Sequence, residues 1–395
     1  MKPLLVLITH VENKAVTQGF VPAAISLGYD VCLLTDHGLD HKQFFSTVEL
    51  GPEYLFECDV FNPLAIIDSL KNRQLHPQVV FSNSDHLQAC TAVVADYFSC
   101  PAKNWQACYQ AKNKAEMRSK LSQLSLPNVW THHWNMDQNL PSELVFPVIA
   151  KPREGVASMD VTLCENKADL MAYASSFGRN DAPILLEAYL EGPLFTLETL
   201  GDGKAIQMIG GFDVALSPLP HFIEKEAIWN GPVGLTHREA ALAQIVAFGI
   251  NFGVCHSEFI LTEKGPILVE INYRSIGDGR EFLLNELLPF DWFEAILSLH
   301  AGQNLPPLET QTQQALIRYF PTTASGVIES GPETFSLESD LSVVHFKTLK
   351  QTGERIHLSH SNKDYLGMLT AIGRSQSQLQ TLANDIENNL NWKVS

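Results

Sequence analysis

Two acids and an amide stand at a spacing that can hold a metal ion. Glu270 and Asn272 are two residues apart in an apolar run, Ile267 to Tyr273, and in an extended strand such a pair projects from one face. The preceding apolar run, His256 to Thr262, carries Glu258. If the runs pair as a hairpin whose opposed residue numbers sum to an even value near 528 or 530, Glu258 lies across from Glu270 or Asn272 on that face. Oxygen donors of this kind suit magnesium, which completes its octahedron with water and substrate phosphates, whereas zinc favours histidine and cysteine. His256-Ser257-Glu258 also has the H-x-E spacing of zinc deaminases, but no P-C-x-x-C segment follows it, and that chemistry is set aside.

A second feature is a strand, a lysine and a loop. Lys151 ends the run Val145 to Lys151 and is followed by Pro152, Arg153, Glu154, Gly155, Val156, Ala157 and Ser158. Gly155 relaxes the backbone so that loop amides and the Ser158 hydroxyl can lie over phosphate oxygens that Lys151 neutralises as a point charge. No Walker A sequence and no G-x-G-x-x-G occur, which argues against a P-loop or Rossmann nucleotide site.

The elements that must position these residues fall into three stretches. Residues 1–110 alternate strand and helix signals, including LLVLIT, VCLLT and VVFS, with helices near Asn62 to Lys71 and after Ser84 and Asp85, which can cap; this predicts an α/β domain. Residues 111–305 open with the helical run NKAEMRSKLSQL and continue with consecutive strand-like runs, a long helix opening at Thr236, and the acid-bearing hairpin, an α+β arrangement. The polar, proline-containing segment QNLPPLETQTQQ marks a boundary, and residues 306–395 read as a small α+β domain of short strands and one C-terminal helix.

Composition limits the partners. With 45% apolar and 18% charged residues the chain is a folded globular protein, and its net charge of −17 argues against nucleic acid, though lysines in a cleft can still attract a small anion. Seven scattered cysteines without a C-x-x-C pair argue against structural zinc and a disulfide framework. The run Leu4 to Ile8 is too short for a signal-peptide core, and the longest apolar region, Ala240 to Cys255, is interrupted by Gln244, Gly249 and Asn251, so a cytoplasmic protein without a membrane span is expected.

Taken in order, NKAEMRSKL, FPVIAKPREGVAS, ILLEAYLEGP, HSEFIL and ILVEINYRSIGDG resemble the motifs of the ATP-grasp superfamily over most of the chain, and the segments Gly326 to Ile328 and NKDYLGMLTAIG look like amide-forming members such as dipeptide and carnosine synthases. The resemblance implies an ATP-grasp fold behind an N-terminal α/β domain, ATP and Mg²⁺ (with Mn²⁺ as substitute) as cofactors, and ligation of a small-molecule carboxylate to an amine through an acyl phosphate, with release of ADP and phosphate. It makes Lys114 and Lys151 the phosphate lysines and the loop Gly155 to Ser158 a phosphate cover. Ala188 and Leu190 would offer backbone to adenine, Glu187 or Glu191 would meet the ribose, Glu258, Glu270 and Asn272 would hold the metal, and Arg274 would hold the transferred phosphoryl group. Asn113 replaces the usual Asp, Leu194 a common Glu, Asp160 a frequent glycine and Tyr273 a common proline. A homodimer is compatible with the resemblance. A bicarbonate-using carboxylase and a non-catalytic nucleotide-binding regulator are the alternatives.

Overall fold

In a computed structural model, the residues described are 2–152, 159–176, 183–309 and 312–395. The expected phosphate cover, Gly155 and Ser158 included, lies outside them.

The first sheet is parallel, in the order β3-β2-β1-β4, from β1 (Leu4–Ile8), β2 (Asp30–Thr35), β3 (Tyr54–Glu57) and β4 (Val79–Phe81). β1, β2 and β4 are continuous apolar runs because helices cover both faces. The helix Pro63–Asn72 starts where the Asn62 side chain accepts from the N–H groups of Leu64 and Ala65, with Pro63 in the first turn. At the next helix Ser84 and Asp85 do not cap; a short 3₁₀ turn, Asp85–Leu87, precedes the helix Gln88–Tyr97, and buried Asp85 is instead ion-paired with Lys112.

A four-stranded antiparallel sheet follows, ordered β5-β8-β6-β7, from β5 (Thr131–Trp134), β6 (Val148–Pro152), β7 (Thr162–Cys164) and β8 (Ile184–Ala188). Leu170, Tyr173 and Ala174 of the helix Lys167–Ser176 close its core.

The third sheet is the largest among the described residues. It begins with β9 (Leu194–Asp202), β10 (Ile206–Gly210), β11 (Phe212–Leu216), β12 (Glu224–Trp229), β13 (Phe252–Thr262) and β14 (Gly265–Asn272). The C-terminal segment adds β15 (Gln314–Pro321), β17 (Phe335–Glu338), β18 (Ser342–Thr348) and β20 (Tyr365–Gly373) to it, and also forms β16 (Gly326–Ser330), β19 (Arg355–Ile356) and β21 (Lys393–Val394). The order is β14-β13-β9-β11-β12-β15-β20-β18-β17 with β10 on β9, while β16, β19 and β21 form a small sheet. Strands from either side of residue 305 are hydrogen-bonded neighbours, Ala227 opposite Ile317, so the C-terminal segment completes this sheet.

The long helix spans Pro232–Phe248, one turn earlier than the sequence suggests. Thr236 does not cap it: its hydroxyl donates back to the Pro232 carbonyl at 2.7 Å. The cap is Asp213 of β11, whose two oxygens accept from Val233 N at 2.9 Å and Gly234 N at 2.8 Å, satisfying free amides at the positive helix end. Gly249, at φ +97°, takes the left-handed conformation that ends it. Ala241, Ile245 and Phe248 then pack on Phe195, Leu197, Phe259, Leu268 and Ile271, the apolar side of β9, β13 and β14.

Candidate active site

The opposite side of those three strands is polar. From the two-residue turn Glu263-Lys264, β13 and β14 pair regularly from Thr262 opposite Gly265 to Phe259 opposite Leu268. The register then shifts at a β-bulge that leaves Val269 unopposed, and pairing resumes with Glu258 opposite Glu270, Ser257 opposite Ile271 and His256 opposite Asn272. Glu258 and Glu270 therefore share a face, and Asn272 follows Glu270 on it. On the other flank, β9 places Glu198 opposite His256 and Thr196 opposite Glu258.

A bulge leaves backbone carbonyls short of ladder partners, and buried carbonyls need donors. Arg118, buried on the helix Lys114–Gln123, supplies them: Nη1 donates to the Leu268 carbonyl at 2.6 Å and Nη2 to that of Val269 at 3.2 Å. Its Nε donates to Glu187 Oε1 at 3.0 Å, and Lys151 Nζ donates to the second oxygen of Glu187. Burial opposes the charge on Glu187, yet Arg118 and Lys151 hold its carboxyl down at about 2. Lys151 itself is lowered, chiefly by burial. With both oxygens engaged, Glu187 serves the two cations, and Glu191 is exposed just beyond the strand.

Lys114 opens the same helix and donates to Glu270 Oε1 at 2.7 Å; burial works against its charge but Glu270 outweighs it and raises the pKa. Asn113 caps the helix, accepting from Ala115 N at 3.1 Å and Glu116 N at 3.3 Å. Asparagine and aspartate cap about equally well, so the departure at Asn113 leaves Lys114 placed. Behind Glu258, His256 bridges two acids: Nδ1 lies 2.7 Å from Glu198 Oε1 and Nε2 3.3 Å from Glu258 Oε1. Burial disfavours its cation, but Glu198 and then Glu258 raise it to about 9, so the ring is an imidazolium donating from both nitrogens at neutral pH.

Lys114, Lys151, Glu187, Ala188, Leu190, Glu258 and Glu270 line one cavity of about 360 Å³, between the four-stranded sheet and the large one. Apolar side chains such as Ile149, Val161, Leu216, Phe222 and Ile260 make most of its wall, the usual construction of a small-molecule site. The Ala188 N–H donates to the Trp130 carbonyl at 3.0 Å. The superposition decides the architecture. The whole chain matches the crystal structure of an L-amino acid ligase from Bacillus licheniformis, covering 99% of it with a TM-score of 0.80 at 19% identity.

The fold is the ATP-grasp fold. No protein-family model matches the chain. It is 22% identical over 329 residues to the uncharacterized protein y4rH of Sinorhizobium fredii, covering 80% of this chain and 68% of that one. It is also 22% identical over 234 residues to dapdiamide A synthase of Enterobacter agglomerans, covering 53% of this chain and 54% of the synthase, so it spans about half that relative's length.

Within this ATP-grasp frame Asn272 is buried beside Glu270, and Arg274 is half-buried where the chain leaves β14, its Nη1 donating to the Ser275 carbonyl at 2.7 Å. The backbone N–H of Ser275 donates to Asn83 Oδ1 at 3.1 Å, which ties this loop to the carboxyl end of the parallel sheet. Glu224 lines the cavity and is ion-paired with buried Arg280, Trp229 is core, and His221 stacks on His360 at 4.0 Å. Arg118, Glu198 and the bridging His256 were not singled out by sequence as parts of this site. Only Arg118 carried a local signal, four residues after Lys114 and so on the same helical face. No described helix is long and apolar enough to cross a membrane.

Proposed function

We propose that the protein is an ATP-dependent carboxylate–amine ligase, a reading carried by Glu258 standing opposite Glu270 on a cleft that also holds Lys114 and Lys151. The names of the two characterised relatives, an L-amino acid ligase and dapdiamide A synthase, favour the same reaction class. The donor set of two carboxylates and an amide oxygen is hard and fits magnesium or manganese. Bound to Glu258, Glu270 and Asn272, the metal would draw phosphate oxygens together and offset their charge.

A carboxylate resists amine attack until one of its oxygens becomes a leaving group. In the proposed reaction a substrate carboxylate oxygen attacks the γ-phosphorus of ATP and ADP departs. The amine then attacks the acyl carbon, phosphate leaves, and the amine surrenders a proton. Lys114 and Lys151 neutralise phosphate oxygens, each shifting from its carboxylate partner, and Arg274 presents a planar guanidinium to the transferred group. Arg118 keeps Glu258 and Glu270 in register. The Ala188 carbonyl and the Leu190 backbone receive adenine, with Glu191 at the ribose. His256 fixes Glu258 and, against the opposing effect of burial, its positive charge lowers the pKa of that carboxyl. All seven cysteines are free thiols, which suits a reducing, cytoplasmic compartment.

The test is phosphate release across a panel of carboxylates and amines, with hydroxylamine present to trap the acyl phosphate as a hydroxamate. Glu270→Ala is expected to lower turnover by about 10²-fold or more while ATP-independent folding persists. A folded Glu270→Ala protein that releases phosphate at the wild-type rate would overturn the assignment.

A further inference from the structure

Far along the chain from the cleft residues, the carboxyl end of the parallel sheet gathers a different donor set. His10 follows β1, and Asp36 and His37 follow β2; these strands are neighbours, with Ile8 opposite Leu34. His10 Nδ1 lies 2.8 and 2.9 Å from the two oxygens of Asp36. The rings of His10 and His37 meet edge to face at 4.6 Å between centroids, and His37 Nδ1 lies 3.4 Å from Asp40 Oδ2. One donor atom from each of His10, Asp36 and His37 falls within 4.8 Å of the other two.

The backbone beneath is held from several sides. Thr35 Oγ1 donates to the His10 carbonyl at 2.9 Å and accepts from His37 N at 3.0 Å. His41, wholly buried, places Nε2 3.1 Å from the same His10 carbonyl. Phe61 packs edge-on against the His10 ring at 5.1 Å. Donors fixed in this way by surrounding hydrogen bonds are the condition for a metal site, and carboxyl ends of parallel strands are where α/β sheets bind ligands.

We propose that His10, Asp36 and His37 form a site for a borderline dication of the zinc class, separate from the magnesium carboxylates of the cleft. Two imidazoles and one carboxylate suit zinc or cobalt and are a poor set for magnesium. In a tetrahedral site with bonds of about 2.0–2.2 Å the ligand atoms stand about 3.4 Å apart, so modest side-chain rotations complete the triad. Asp40, 3.4 Å from His37 Nδ1, would be the outer carboxylate that orients His37 and leaves Nε2 to the metal. Side-chain exposures of 34% for His10, 28% for Asp36 and 38% for His37 leave a coordination position open to water and a path for entry. Occupancy would clamp together the loops that leave β1 and β2.

The test uses chelator-treated full-length protein without nucleotide and with excess Mg²⁺. Co²⁺ is titrated by its visible absorption, and Zn²⁺ by calorimetric competition. One equivalent per chain is expected at micromolar affinity, unchanged in Glu270→Gln and weakened about 100-fold or more in His10→Ala and in His37→Ala, with melting curves confirming that each variant folds. Wild-type binding no tighter than millimolar would overturn the proposal. So would wild-type-like binding by the His10→Ala/His37→Ala double variant, or a loss confined to Glu270→Gln, which would assign the ion to the cleft.

Discussion

The two faces of β9, β13 and β14 share one backbone and differ in almost everything else. On one, Phe195, Leu197, Phe259, Leu268 and Ile271 are sealed under the helix Pro232–Phe248, and burial of apolar area holds them there. On the other, Glu198, His256, Glu258, Glu270 and Asn272 face one another, with Lys114 at the edge. Glu198, His256 and Asn272 are buried and Glu258 and Glu270 partly so, and each charge is balanced by a neighbour. The difference separates what makes the sheet stable from what makes it useful: apolar residues fix where the strands lie, and paired charges occupy the face turned to the cleft.

Mutations should divide along that line. The largest stability loss is expected on the apolar side. Phe259, fully buried and stacked on Phe195 at 5.4 Å, should cost about 3–5 kcal/mol as Phe259→Ala in urea unfolding, while the folded fraction keeps its catalytic constant. An equal loss of kcat in the folded protein would break the division. Next comes Glu187→Gln, which leaves Arg118 and Lys151 buried without their anion. A loss of about 3 kcal/mol is expected, together with weaker nucleotide binding, since Lys151 and the bulge are no longer held. If stability fell and nucleotide affinity did not move, Glu187 would belong with the structural face.

The smallest effect is pH-dependent and comes from His256. Its pKa is raised from 6.5 to about 9, so its contribution is fully present below pH 6.5 and is lost as pH rises through about 9. Unfolding free energies from urea titration should fall between pH 6.5 and 9.5 by a few kcal/mol at most, and His256→Gln should flatten that slope. Glu187 has the reverse sign. Its depressed carboxyl stabilises above about pH 4.5, and that contribution disappears as pH drops through about 2.

Local patterns carried much of this. The alternation in ILVEIN and HSEFIL was enough to put Glu258 and Glu270 on one face, given an even pairing number, and the spacing of NKAEMRSKLSQL announced the helix that carries Lys114. Contacts between distant segments left no such trace. Arg118 finds Glu187 and the β14 carbonyls only when a helix and two sheets assemble. Asp213 replaces Thr236 as the helix cap because β11, paired with the strand that leads into the helix, brings it to the helix's amino end, and a carboxylate on two free amides outcompetes a hydroxyl within the helix. The joining of β12 to β15 across residue 305 was equally invisible, since a polar, proline-containing link reads the same whether its flanks share a sheet or not.

Val269 gives the cleft an unusual dependence on parity. The tight turn at Glu263-Lys264 by itself would set Glu258 and Glu270 on opposite sides of the sheet, and the one unopposed residue switches odd pairing to even. The geometry of the proposed metal site is therefore written in the number of residues between the two glutamates as much as in their identity. A single deletion in that interval, absorbed by regular pairing, would part the carboxylates while every ligand remained in the chain.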